Sequence, residues 1–147
     1  MPEGITIHHA SAADVNDVHQ LECAAFPSPW RREFFESEVH GSGRFNLVVR
    51  RQGRLIGYLF AMWFFDELHI NKIAVDEQER RKGIADTLMA ECIAFAKRNR
   101  IRLMSLEVRE SNRGAQAFYR HLDFTPAYVR PMYYPDGEAA VVMTKNL

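Results

Sequence analysis

This 147-residue chain is short of several things, and each shortage excludes a class of protein. Two cysteines occur, Cys23 and Cys92, with no C-x-x-C spacing. That is too few for a disulfide framework. Both fall in stretches that read as amphipathic helix, so two buried free thiols in a reducing compartment are expected. The six histidines show no H-x-x-x-H spacing, and no metal site is expected. Neither sign of charge is in surplus, since Lys+Arg and Asp+Glu number 19 each. Nonspecific binding to DNA or to an acidic membrane needs surplus positive charge, so neither partner is expected. The longest apolar run, Leu59 to Phe65, falls far below the ~20 residues of a membrane span. Met1 to Gly4 offers no basic segment followed by an apolar run, so no signal peptide is read. Repeats, low-complexity segments and linkers are also missing. A single cytoplasmic domain over 1–147, acting as a monomer, is the expectation.

Enough remains to build a core, with 47% hydrophobic residues. Ile5 to His9 alternates as a strand. Ser11 caps a helix with Asp14 in the position of a capping-box acid. Val15, Val18, Leu21 (or Glu22 beside it) and Ala25 line one face of that helix, which Pro27 and Pro29 break. A short helix follows at about Arg31 to Val39. Phe45 to Val49 reads as a strand. Leu55 to Phe65, apolar on both alternating sets, suits a central strand covered on both faces. Leu68 to Val75 is another strand. Ile84, Leu88, Cys92 and Phe95 then mark a strongly amphipathic helix. It ends in the basic cluster Lys97 to Arg102, which suits the negative end of the helix dipole. Leu103 to Val108 is a strand, and Ser111 caps a helix whose Ala115, Phe118, Tyr119 and Leu122 share a face. Two strands, about Thr125 to Arg130 and Ala139 to Thr144, close the chain. The order β-α-α-β-β-β-α-β-α-β-β predicts a mixed α/β domain with a partly antiparallel sheet.

The densest chemical signal is Ile73-Ala74-Val75 followed by Arg80-Arg81-Lys82-Gly83-Ile84-Ala85. A strand end, a polar turn and a glycine at a helix start make an anion site. Unpaired N–H groups point outward there, and the helix dipole adds positive charge. Gly83 allows close backbone approach, and Arg81 and Lys82 add full charges. The spacing is neither G-x-G-x-x-G nor a P-loop, so dinucleotide and P-loop readings are poor. A solvated basic helix start fits the same pattern.

Arg80-x-x-Gly83-x-Ala85 resembles the [QR]-x-x-G-x-[GA] motif of the GNAT acetyltransferase superfamily, and the element order resembles that fold along nearly the whole chain. The resemblance implies acetyl-CoA as acetyl donor. It implies that Arg81, Lys82, Gly83, Ile84, Ala85 and Asp86 surround the pyrophosphate, and that Ile73, Ala74 and Val75 pair with the pantetheine arm. More narrowly, Leu106-Glu107-Val108-Arg109-x-Ser111-Asn112-x-x-Ala115-x-x-Phe118-Tyr119 is similar to the RimI-type family, as are Phe26-Pro27-x-Pro29-Trp30 and Arg130-x-x-Tyr133-Tyr134. That family acetylates the N-terminal alanine of a small-subunit ribosomal protein, so an N-terminal peptide is the implied acceptor.

Read from the residues alone, Glu107 either faces solvent as an alternation partner or is held in a cleft. The resemblance makes it the general base, acting through water. Tyr119 reads as a half-buried core tyrosine, and the resemblance makes it the general acid toward the coenzyme A thiolate. Asn112 reads as a helix-start polar residue, and by resemblance its amide bonds the pantetheine arm. Phe26, Trp30, Tyr133 and Tyr134 either cap the core or line a peptide groove. The resemblance favours the groove, with Trp30, Tyr133 and Tyr134 as acceptor-binding residues. His69, beside the strand expected to flank the cofactor, is the histidine of interest. Asp123 stands where the family has glycine, and Glu138-Ala139-Ala140 replaces its Glu-Asp-Ala. A small-molecule amine acceptor and a non-catalytic acyl-CoA-binding module are the competing readings.

Overall fold

The structure, a computed structural model, describes residues 4–147, so the reading of Met1 to Glu3 lies outside it. The elements in order are β1 (Ile5–His9), α1 (Val15–Ala25), α2 (Arg32–His40), β2 (Arg44–Arg51), β3 (Arg54–Phe64), β4 (Glu67–Val75), α3 (Ile84–Arg98), β5 (Leu103–Arg109), α4 (Arg113–His121), β6 (Thr125–Arg130) and β7 (Ala140–Asn146). This is the expected order. Short 3₁₀ turns at 12–14 and 77–79 precede α1 and α3.

Local chemistry explains most boundaries. The Ser11 N–H donates to Asp14 Oδ2 at 2.9 Å, the expected reciprocal arrangement at a helix start. The chain turns extended at Phe26, just before Pro27. The cap of α4 is Asn112 rather than Ser111, because the Asn112 side chain accepts from the Ala115 N–H at 3.0 Å. Both side chains could fill that role, but the helix begins one residue later than the pattern predicts.

The seven strands lie in the order β1-β2-β3-β4-β5-β7-β6. All neighbours are antiparallel except β4 and β5. On one face, Ile84, Leu88, Met89 and Cys92 of α3 and Tyr119 of α4 pack on the sheet. On the other, Val15, Val18 and Leu21 of α1 and Phe35 of α2 pack against Val48, Tyr58 and Phe60. As expected, β3 is buried on both faces, with Ile56, Leu59 and Ala61 in the first cluster and Leu55, Tyr58 and Phe60 in the second. Its far end departs from that expectation. Phe64 is 72% and Phe65 80% exposed, because the hairpin runs past the covering helices.

The expectation of two buried thiols is half corrected, since Cys92 is buried but Cys23 is exposed. One residue beyond Glu22, the helix has turned about 100° out of its apolar stripe. Glu22 itself is fully buried.

One topological feature positions everything that follows. The parallel pairing of β4 with β5 covers only Glu67↔Leu103, Leu68↔Met104 and His69↔Ser105. Both strands continue, to Val75 and Arg109. Beyond His69 they part. The β3–β4 register shifts here, with Ala61 opposite Ile70 and Phe60 opposite Lys72, so Asn71 is an extra residue. Such a bulge bends its strand. On its other edge β5 stays paired with β7 through Arg109, so the opening is one-sided.

Candidate functional site

The split exposes two kinds of surface. Along one side runs the β4 edge from Asn71 to Val75, which no longer pairs with β5. Main-chain groups freed in this way can receive an extended ligand as an added strand would. Ile73 and Val75 lie partly buried against the α3 side, and Ala74 is buried on the opposite face.

At the end of β4 the chain turns into α3. Arg81 and Gly83 adopt left-handed backbone, at φ +65° and +80°. Glycine takes that conformation freely, whereas arginine is strained there. The first intrahelical bond runs from the Thr87 N–H to the Gly83 carbonyl, at 3.0 Å. The N–H groups of Ile84, Ala85 and Asp86 precede it and have no intrahelical partner. This is the anion-binding arrangement expected from the sequence. Side chains contribute unevenly. Ile84 is buried in the core, so only its N–H can serve. The Asp86 carboxylate sits in the first turn and would repel an anion, which leaves its N–H as the useful group. Arg81 is exposed. Lys82 lies 3.7 Å from buried Glu79, which also pairs with Arg51 and Arg54.

Two elements flank the split. On the α4 side, Asn112 spends its Oδ1 on the helix cap, so its amide N–H groups remain as donors. The Tyr119 ring is 7% exposed, and its hydroxyl makes no hydrogen bond to the protein among the described residues. Burial pushes its phenol well above the usual value, with Tyr134 adding to the shift.

On the α1–α2 side lies a cleft of about 310 Å³ lined by Trp30, Phe34, Glu38, Arg44, Met62, His69, Asn71, Glu107 and Tyr133. The Glu107 side chain, only 11% exposed, answers the alternative left open by the sequence in favour of the cleft. Its carboxylate meets His69 Nε2 at 2.6 and 3.0 Å and accepts from the Tyr133 hydroxyl at 2.9 Å. Burial pulls the carboxyl upward. Hydrogen bonding and charge from His69, with Tyr133 and Arg130, outweigh it and hold the group below the usual carboxylate range.

Three of the four aromatic residues singled out in the sequence meet near this cleft. Trp30 and Tyr133 line it, and Phe26 joins Trp30 in packing against the Lys72 ammonium. Tyr134 is not in the lining. It stacks on the Arg109 guanidinium at 4.2 Å, and Arg109 in turn pairs with Asp136 and Glu138. The lone carboxylate left in Glu138-Ala139-Ala140 is therefore occupied inside the loop.

Residue patterns alone missed the network behind Trp30. Buried Glu22 accepts from the Tyr58 hydroxyl, from Lys72 Nζ at 3.0 Å and from the Trp30 N–H at 2.9 Å. The Lys72 ammonium lies 3.7 Å from the Phe26 ring centroid and 4.5 Å from that of Trp30. The available signals were a carboxylate in an apolar helix stripe and a lysine inside a strand. Among the described residues no cluster could hold a metal ion, and no helix is long and apolar enough to cross a membrane.

Comparison with known proteins agrees with this geometry. The acetyltransferase (GNAT) family model matches residues 15–124. The chain is 30% identical over 141 residues to the ribosomal protein bS18-alanine N-acetyltransferase of Escherichia coli K12, covering 94% of this chain and 95% of that one. It is 30% identical to the N-alpha-acetyltransferase of Saccharolobus solfataricus, covering 97% and 93%. The crystal structure of the E. coli ribosomal-protein-S18-alanine N-acetyltransferase superposes with a TM-score of 0.90, covering 97% of this chain and 93% of that one. At 19% identity, Arabidopsis thaliana NAA60 in complex with acetyl-CoA shares the fold, with a TM-score of 0.88 and coverage of 97% and 99%.

Proposed function

This chain belongs to the acetyltransferase (GNAT) family, and on that premise we propose that it acts as one N-acetyltransferase domain, residues 1–147, on protein N-termini. The N-terminal alanine of a small-subunit ribosomal protein is the acceptor we infer, which places the reaction in the cytoplasm. The enzyme class and the donor are settled by the family: it is an acyltransferase that uses acetyl-CoA.

The observation that carries the reading is Glu107, a largely buried carboxylate facing a cleft beside the point where β4 and β5 part. We assign the donor to the split. The pyrophosphate sits against the N–H groups of Gly83 to Asp86, with Arg81 and Lys82 above it. The pantetheine arm pairs with Ile73, Ala74 and Val75 and meets the Asn112 amide. The acceptor enters by the cleft between Trp30 and Tyr133, with Tyr134 supporting Tyr133 at 5.0 Å.

A protein α-amine titrates at about 7.7–8.0 and arrives largely as ammonium at neutral pH. Glu107, directly or through one water, takes one proton and frees the nitrogen lone pair. The amine then attacks the thioester carbonyl, and a C–N bond forms. As the tetrahedral adduct collapses, the C–S bond breaks and the electron pair goes to sulfur. Tyr119 protonates the thiolate. The second nitrogen proton restores the phenol, and the first leaves to solvent. Products are the N-acetyl peptide, free coenzyme A and one proton. The raised Tyr119 value supports its part, because the group stays protonated throughout the working range.

The test is a rate comparison with acetyl-CoA between an alanine-initiated ribosomal peptide and a panel of free amines, including polyamines and amino acids. Transfer to the peptide α-amine with kcat/KM at least about tenfold above every free amine is the expected result. Preference for a free amine overturns the acceptor assignment.

A further inference from the structure

His69 is tied on both ring nitrogens. Nε2 faces the Glu107 carboxylate at 2.6 Å, and Nδ1 faces the Asn71 amide oxygen at 2.7 Å. His69 is also the last β4 residue in register with β5, opposite Ser105. Glu107 lies two residues beyond Ser105 and so shares its face of the strand. The final rung of parallel pairing thus fixes both backbones at the place where the two side chains meet. We propose that His69 is a positioning residue for Glu107, aiming the carboxylate into the cleft and governing, by whether its own ring is charged, how readily that carboxylate takes up a proton. The inference rests on the reading of Glu107 as base.

Lone-pair arithmetic shows what this positioning does. A carboxylate offers about four acceptor sites. The Tyr133 hydroxyl and the longer His69 contact fall on Oε1, and the shorter His69 contact falls on Oε2. One direction on Oε2 is left for a water or an amine. Without His69 the glutamate would be held by Tyr133 alone, which is 43% exposed.

The charge has a direction too. The groups facing His69 are Asn71 on its own strand, Glu107 on β5, Arg130 on β6 and Tyr133 in the following loop, with Glu38 and Arg44 farther along the cleft wall. Burial and Arg130 oppose the imidazolium. Glu107 and Asn71 outweigh them, so His69 titrates above its ordinary 6.5. Below that point a charged His69 makes Glu107 a weak proton acceptor. As pH rises through it, the ring turns neutral but keeps donating through Nε2, and the carboxylate gains basicity. The acid limb of kcat therefore follows His69.

The experiment measures kcat at saturating peptide and acetyl-CoA from roughly pH 5 to 9, the range in which imidazole titrates. In His69→Gln, which keeps an N–H donor but loses the charge, kcat stays within about tenfold and the acid limb moves to lower pH. In His69→Leu, kcat falls about 100-fold with KM changed only a few-fold. Equal losses in both variants with an unmoved limb overturn the inference. Glu107→Gln, run alongside, separates the two readings. Full activity in that variant removes the base assignment and this inference with it. A collapse there beside unchanged His69 variants removes the inference alone. The His69 imidazole resonance gives a readout independent of turnover: it should titrate above 6.5 in the wild type and drop in Glu107→Gln, and no drop contradicts the pairing.

Discussion

The two halves of the site, as we propose them for donor and acceptor, are built from different materials. The donor half is mostly main chain: a parted strand edge at Asn71–Val75 and the unpaired N–H groups at the start of α3. The acceptor half is mostly side chains brought together from distant positions, such as His69 with Glu107 and Glu22 with Tyr58 and Lys72. A main-chain site tolerates most substitutions and responds chiefly where a special backbone conformation is needed. A side-chain site fails when one partner is removed. That difference can be broken or sharpened by substitution.

The largest stability effect is expected in the acceptor half. Glu22→Ala leaves the Lys72 ammonium, 15% exposed, without its anion, and it also releases the Trp30 N–H. Removing one partner of a buried pair costs about 3–5 kcal/mol. Denaturant unfolding should show this, with much of the loss recovered when Lys72→Met is added. A Glu22→Ala variant as stable as the wild type would mean that the network does not hold the α1–α2 loop.

Chemistry comes next. Glu107→Gln and Tyr119→Phe should each lower kcat by about 10²–10⁴, with acetyl-CoA affinity nearly unchanged, since a general acid or base contributes that much. Steady-state kinetics with calorimetric titration of acetyl-CoA checks both. A large loss of donor affinity in Glu107→Gln would blur the separation of halves.

The legible part of the molecule follows the same division. Element order was readable because periodicity and punctuation are local: the stripe from Ile84 to Phe95, the prolines after Phe26 and the glycine at 83 each act within a few residues. The helix start we assign to the donor was readable for the same reason, because a left-handed glycine at the mouth of a helix is a local object. The roles of Glu107 and Tyr119 came only through the resemblance to a family. The Glu107 partner lies 38 residues away in sequence, and Glu22 and Tyr58 are 36 apart. Such pairings come from sheet register, which residue spacing does not report. Cys23 is exposed because it lies one residue off the apolar stripe of α1, and the bare hairpin tip at Phe64 and Phe65 escapes the reading because composition does not show where the covering helices end.

Two smaller effects sharpen the comparison from the donor side and from outside it. Gly83→Ala forces a side chain onto φ +80°, which costs about 1–2 kcal/mol. It should weaken acetyl-CoA binding roughly tenfold while leaving peptide KM nearly unchanged. Asp123 sits at φ +69°, so Asp123→Gly should stabilise the fold by about 1 kcal/mol and leave kcat alone. Thermal melts check this, and a loss of stability would show that the Asp123 contact with Lys145, at 3.9 Å, matters more than the strain.

The central claim is that acetyl-CoA lies along the parted edge of β4 and against the start of α3. Amide hydrogen exchange with and without saturating acetyl-CoA tests it directly. Slowed exchange confined mainly to Asn71–Val75 and Gly83–Asp86 is the expected result. Tight binding with no change in either segment, and protection elsewhere, would contradict it.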